Sequence, residues 1–378
     1  MLSKIDKRLL EKISVSSNMH SNIDVIVHLA HYEKDIGMYD KKYNGVKKFP
    51  FVSCFGVCLP LGAINTLACD KSVRFVSDDC RVCSLMYKTK RFLHLDYLYS
   101  LITKNNEYTV VIIDTGIYEH IDFVLGKNRL IKFVDLISNK TVPYDDNGHG
   151  TFIAGVMCGN GINKKYAGID KISNIIVIKA LDSTGETTTT KILEAMQWVL
   201  QNKEKFNIST VCMSFGSVYR EDDPLVNAAE ILWNNGIVVV TAAGNSGPDG
   251  ETIMSPGSSR RVITVGSLDD ISLGNIAVAD FSSRGPAGNY YKPDIVVPGT
   301  DIISTNVFSV DRKFYTKMSG TSVSAPMVAG VASLLKNINP RYSPDEIKYM
   351  LITACNRIEG DRNKEGYGYL DLRKLILI

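Results

Sequence analysis

The chain has 378 residues, is 45% hydrophobic and 22% charged, and carries a formal net charge of +3. That length and balance support a large buried core and argue against a disordered chain, a collagen-like chain or a disulfide mini-protein. Lysine and arginine are spread along the sequence, so no basic patch points to nucleic acid. No apolar run approaches the roughly 18 residues that a membrane span requires.

The N-terminus, Met1 to Arg8, is charged and leads into no apolar segment, so no secretory signal is read there and a cytoplasmic location is expected. The eight cysteines suit a reducing compartment, where thiols such as Cys212, between Val211 and Met213, act as small hydrophobes. The spacings Cys54-x3-Cys58 and Cys80-x2-Cys83 leave zinc or a disulfide open as the alternative.

A first block covers residues 20–85, after an extension over 1–19. Ile23, Val25, Val27 and Leu29 alternate with Asp24, Ile26 and His28, which is strand periodicity. A basic, glycine-containing stretch (Asp40–Lys48) precedes a second strand expected over Phe51–Leu59. Pro60–Ala68 reads as a short helix and Val73–Val76 as a third strand. The block is a small α+β unit.

Over 86–378 the pattern changes. Strands are expected at Thr109–Ile113, Ile175–Leu181, Thr210–Phe215 and Ile237–Ala242, with helices at Thr188–Gln201 and Pro224–Asn235 between them. Such alternation predicts an α/β fold: a doubly wound, mostly parallel sheet with helices on both faces. Ser343-Pro344-Asp345-Glu346 reads as a capping box that opens a late helix.

Chemistry collects at four places in this second block. Asp114 ends an apolar strand, in Asp114-Thr115-Gly116. His149 lies between glycines in Asn147-Gly148-His149-Gly150-Thr151, ahead of a small-residue helix. Asn245 follows Ala242-Ala243-Gly244 at another strand end. Ser322 stands in Gly320-Thr321-Ser322-Val323-Ser324, running into an apolar helix. Each signal alone is weak, since a serine at a helix start is more often a cap than a nucleophile. Together they supply a hydroxyl, an imidazole, a carboxylate and an oxyanion donor, in the chain order Asp…His…Ser.

These four motifs resemble those of the subtilisin-like serine proteases, over about residues 108–355. The resemblance implies that Ser322 is the nucleophile, His149 the general base and then acid, and Asp114 its orienting partner. It makes Asn245 the side-chain donor of the oxyanion hole. It also implies that Ser214-Phe215-Gly216 and Ala242-Ala243-Gly244 flank an extended peptide or protein substrate, with Met254 narrowing the primary pocket. Val323 and Ser324 depart from the usual Met and Ala after the nucleophile without removing a catalytic group. A catalytically silent relative with a regulatory or scaffolding role is the alternative reading. The absence of a Gly-x-Ser-x-Gly elbow counts against another type of serine hydrolase.

The family's calcium loop is expected to fail here. Asp122 matches its acidic residue, but the loop reads Asn160-Gly161-Ile162-Asn163-Lys164-Lys165-Tyr166, and lysines repel a cation that needs several oxygen ligands. At most a weak calcium site, and otherwise no metal or cofactor, is expected. The first block resembles the inhibitory propeptide of these proteases. It would act as an intramolecular inhibitor, its tail lying along the cleft and cut near Leu85–Met86.

Overall fold

In the computed structural model, the residues described are 4–6, 9–10, 13, 20–79, 81–84 (backbone only), 93–103, 106–125, 128–162, 166–218, 220–269, 276–307 and 313–377. The first block builds a four-stranded antiparallel sheet in the order β2-β3-β1-β4, from β1 (Asn22–Leu29), β2 (Lys47–Phe49), β3 (Cys54–Pro60) and β4 (Val73–Asp78). Helices α1 (Tyr32–Lys42) and α2 (Leu61–Ala68) belong to the same unit. Two departures from the sequence reading occur here. Helix α1 was not anticipated, and the expected strand over 51–59 is broken. Pro50–Val52 forms a 3-10 turn, and Ser53 follows it in the left-handed region at φ 54°.

Alternation along β1 has a second use. Val25, Val27 and Leu29 join Phe55, Val57, Ile64 and Val76 in a core of the unit's own. Ile26, on the other face, is buried in the large core of the second block, with Phe49, Val52 and Cys54. The sheet therefore buries side chains on both faces, one set internally and one against the larger body.

That body is a nine-stranded sheet. Its strands in chain order are β6 (Thr109–Asp114), β7 (Leu130–Asp135), β8 (Asn174–Lys179), β10 (Ile208–Met213), β12 (Val238–Ala242), β13 (Ile263–Leu268), β14 (Ile295–Pro298), β17 (Cys355–Asn356) and β18 (Tyr369–Leu370). The spatial order is β17-β18-β14-β13-β12-β10-β6-β8-β7, and every pairing except β17–β18 is parallel. Strands β15 (Ile302–Thr305) and β16 (Tyr315–Met318) form a separate antiparallel pair. Every residue of β6, β10, β12, β13 and β14 is buried, as expected for strands covered on both faces.

The covering helices are α3 (His149–Cys158), α4 (Thr189–Asn202), α5 (Pro224–Asn234), α6 (Thr321–Ile338) and α7 (Pro344–Thr353). Helix α6 lies across β10, β12, β13 and β14 and against α3, while α4 and α5 pack together. The expected capping box of α7 is present, with Ser343 Oγ accepting from Glu346 N–H and the Glu346 carboxylate accepting from Ser343 N–H. From β6 the chain passes to β7 and β8 on one side and then to β10 on the other. The order reverses beside β6, the place where open α/β sheets form a crevice beyond their carboxyl ends.

Candidate active site

Asp114 is the last residue of β6, at that crevice. His149 is the first residue of α3, and its Nδ1 lies 2.7 Å from Asp114 Oδ1, with both side chains fully buried. A carboxylate can only accept, so Nδ1 carries a proton, and in the neutral ring Nε2 is then the acceptor. The same Oδ1 accepts from Thr115 N–H at 2.7 Å.

Glycine makes this approach possible. A Cβ on Gly150 would stand 2.2 Å from Gly116 O and 3.2 Å from Asp114 Cβ, so any other residue there would push the helix off the strand. Gly116, at φ +124°, would set a Cβ 2.1 Å from Tyr144 O.

The start of α3 is held by a residue that sequence reasoning passed over. Asp145 is buried, and its Oδ1 accepts from Thr115 Oγ1 (2.9 Å), Asn147 N (3.1 Å) and Gly148 N (2.8 Å). Its Oδ2 accepts from Thr151 N (2.8 Å) and Thr151 Oγ1 (2.7 Å). Thr115 Oγ1 in turn accepts from Gly150 N at 2.8 Å. One carboxylate thus ties the Asp114 turn to the His149 turn, and its charge opposes the positive end of the helix dipole. The clue in the sequence is an acidic residue set just before an Asn-Gly turn and a helix.

Ser322 is the second residue of α6 and is buried; its Oγ has no hydrogen-bond partner. Nucleophile–base contacts often tighten only once substrate is bound. The neighbouring N–H groups are engaged: Thr321 N donates to Asn245 Oδ1 at 2.9 Å, and Val323 N to Gly320 O at 3.2 Å. Ser322 N–H lies between them as one of the orphan donors of a helix N-terminus, where negative charge is favoured. Thr321 Oγ1 also donates to Asn245 Oδ1, at 3.1 Å. The backbone N–H of Thr321 can only donate, so it settles which end of the Asn245 amide is oxygen and leaves Nδ2 as the outward donor.

The segments expected to flank a substrate behave differently from one another. Phe215–Gly216 forms a short strand, β11, that pairs antiparallel with β5 (Arg81–Ser84), with Phe215 opposite Ser84 and Gly216 opposite Cys83. The other edge of β5 pairs with β9 (Glu186–Thr188), which sequence reasoning missed. Ala242–Gly244 is engaged internally instead. Ala243 N donates to Val265 O, Ala243 O accepts from Met254 N, and Gly244 N donates to Thr321 Oγ1. Ser214 is buried between β10 and β11.

Met254 lies against both glycine-bearing segments. A Cβ on Gly216 would meet Met254 Cβ at 2.6 Å, and one on Gly244 would meet its Cγ at 2.7 Å.

The small unit is tied to the larger body by side chains just before β5 and elsewhere. Asp79 Oδ1 accepts from Thr190 N at 3.0 Å in the first turn of α4, and its other oxygen accepts from Thr190 Oγ1. Lys47 pairs with Glu194 at 3.2 Å, and Arg220 reaches Asp6 and the Asp78 carbonyl. The expected break near Leu85–Met86 lies outside the described residues.

Asp122 is buried, its Oδ1 accepting from Ile162 N at 2.8 Å and its Oδ2 from the Tyr315 hydroxyl at 3.3 Å. Lys164 and Lys165 lie outside the described residues. Among the described residues, Cys54, Cys58, Cys69, Cys158, Cys212 and Cys355 are unbridged thiols, and no group of three or more His, Cys, Asp or Glu is placed to hold a metal ion. No described helix is long and apolar enough to cross a membrane.

Comparison with known proteins places this arrangement in a class. The Peptidase S8 subtilase profile matches residues 105–369, and the chain belongs to the subtilase family. It is 42% identical over 285 residues to the serine protease AprX of Bacillus subtilis (strain 168), covering 69% of this chain and 63% of AprX. It is 32% identical over 281 residues to the thermophilic serine proteinase of Bacillus sp. (strain AK1), covering 74% of this chain and 64% of that protein. The chain thus spans somewhat under two thirds of the length of these relatives. Among solved structures, fervidolysin from Fervidobacterium pennivorans superposes with a TM-score of 0.72 at 20% identity, over 95% of this chain and 61% of that one, a likeness of fold.

Proposed function

We propose that the chain is a serine endopeptidase that cleaves peptide bonds through an acyl-enzyme. The observation that carries this reading is the buried 2.7 Å hydrogen bond between His149 and Asp114, at the carboxyl end of β6, with the Ser322 helix packed against the His149 helix. Ser322 Oγ attacks the scissile carbonyl while His149 Nε2 takes its proton. Asp114 keeps the imidazole in the Nδ1–H tautomer and stabilises the imidazolium that forms. Negative charge on the carbonyl oxygen is met by Ser322 N–H and Asn245 Nδ2, donors fixed before the reaction starts. The imidazolium returns its proton to the leaving amine, and water then repeats the sequence on the acyl-enzyme.

Residues 20–85 act as an intramolecular inhibitor in this reading. Support comes from β5, whose main chain lies between β9 and β11 as an added strand, the way an extended peptide is held in a cleft. Cleavage follows near Leu85–Met86, performed by the enzyme's own site. Met254, seated against Gly216 and Gly244, limits the primary pocket to apolar side chains of modest size.

The test compares wild type with Ser322→Ala by casein hydrolysis and intact mass. Wild type should hydrolyse casein and lose roughly its first 85 residues. The variant should stay full-length, with activity below about one per cent, on the scale of a lost general-base partnership. Casein hydrolysis by Ser322→Ala would refute the assignment of the nucleophile. A full-length and fully active wild type would refute the inhibitor role.

A further inference from the structure

The end of α3 opposite His149 holds a cation that belongs to the chain. Arg129, just before β7, is 2% exposed, and all five of its N–H groups donate. Its Nε and Nη2 reach Asn160 Oδ1 at 3.0 and 2.7 Å, and Nη1 reaches Asp170 O at 3.1 Å and Ser173 O at 3.0 Å. The second Nη2 donor goes to Cys158 O, in the last turn of α3.

No carboxylate oxygen accepts from this guanidinium. Asp170 Oδ1 accepts instead from Ile172 N and Ser173 N, at 2.8 and 2.9 Å. The charge is met by carbonyl and amide oxygens, by the negative end of the α3 dipole and by the nearby buried carboxylate of Asp170, whose Oδ2 has no hydrogen-bond partner. A shell of converging neutral oxygens around a buried positive charge is also what a hard divalent cation needs.

The subtilisin-like resemblance puts a calcium loop here, and the residues do not fit one. The carbonyls of Cys158, Asp170 and Ser173 and the amide oxygen of Asn160 point at Arg129. Asp122 spends one oxygen on Ile162 N–H and the other on the Tyr315 hydroxyl. Among the described oxygens here, Asp170 Oδ2 alone has no donor, and calcium needs six to eight oxygens, so most of its ligands would have to be taken from donors they already have.

We propose that Arg129 takes the place of a bound metal ion at this loop. It caps the carboxyl end of the helix that carries His149 and holds the segments around Asn160 and Asp170–Ser173 to it, without a divalent cation. Helix α3 is then fixed by opposite charges at its two ends, Asp145 at the first turn and Arg129 at the last.

The test uses the full chain in the Ser322→Ala background, which cannot digest itself, and reads thermal melting by circular dichroism. A cation stabilises only through its affinity for the folded state, so the midpoint should agree within about 2 °C between millimolar EDTA and millimolar calcium chloride. Arg129→Met keeps length but strands four acceptors, and should lower the midpoint by about 5–15 °C in both buffers. Should that variant not fold, Arg129→Lys keeps the charge with fewer donors. It should show a smaller fall that calcium does not alter. A drop of more than about 5 °C when the background protein is chelated would overturn the proposal. So would an unchanged midpoint in Arg129→Met.

Discussion

Replacing Asp145 by Asn perturbs the base-carrying helix while touching no group that meets substrate. The amide has one acceptor where the carboxylate had two. If Nδ2 takes the place of Oδ1, it faces the N–H groups of Asn147 and Gly148, two donors against a donor. If it takes the place of Oδ2, only Thr151 N–H is orphaned, because the Thr151 hydroxyl can rotate to accept. The second orientation is therefore the cheaper. It leaves one buried N–H unpaired, costing about 1–3 kcal/mol, and weakens the three bonds on Oδ1 from charged to neutral. Together these give a loss of about 2–4 kcal/mol. Thr115 and Gly150 share this network, so the His149 turn shifts relative to Asp114, and a displacement approaching 1 Å can cost on the order of 100-fold in rate. Urea denaturation in the Ser322→Ala background reads the stability term. Peptide hydrolysis in the active background should show kcat down about 10- to 100-fold with KM within a few-fold. A kcat within twofold of the parent, with an unchanged urea midpoint, would refute the positioning role.

Three further outcomes are expected. Asn245→Ala should lower kcat by about 10²- to 10³-fold, the range found for a lost oxyanion donor in subtilisin, and leave KM nearly unchanged; a change confined to KM contradicts the role. Met254→Ala should open the pocket and raise kcat/KM for Phe over Leu at the cleaved position by roughly 10-fold or more; an unchanged preference would show that Met254 does not line it. The third concerns pH and His28, whose pKa burial, helped by Arg74 and Arg220, pushes from 6.5 down to about 3. Between those values the unfolded chain binds a proton there and the folded chain does not, so the small unit loses stability as pH falls below about 6.5. Urea midpoints at pH 7 and 4.5 should differ less in His28→Gln than in the parent; equal differences would assign the acid sensitivity elsewhere.

What the sequence displayed, and what it hid, follows from where each signal resides. Asp114, His149, Asn245 and Ser322 stand out because each needs a special backbone site, a strand end or a glycine-flanked helix start, and those sites leave local marks. The buried parallel strands were legible for a similar reason, as short apolar runs at regular spacing. Helix α1 was not, because only Tyr32 and Tyr39 of its eleven residues are buried and its N-cap, His31, makes no side-chain capping bond. The β5–β9–β11 pairing was only half visible. It rests on main-chain hydrogen bonds between segments more than one hundred residues apart, and Glu186–Thr188 carries no side-chain pattern that sets it apart. Asp145 was passed over despite the Asn-Gly turn that follows it, and Arg129 was silent, for another reason. Each stands near another charged residue, Asp146 or Lys127, in a polar stretch, and its burial and its five bonds exist only once distant segments meet.

The most direct test of the account is reaction with a fluorophosphonate, which is attacked only by an activated serine, followed by peptide mapping of the adduct. The account predicts a single adduct on Ser322 in the wild-type protein, absent in Ser322→Ala and strongly slowed in His149→Ala. A wild-type protein that hydrolyses casein but carries its adduct on another serine, or reacts at Ser322 equally fast without His149, would contradict it.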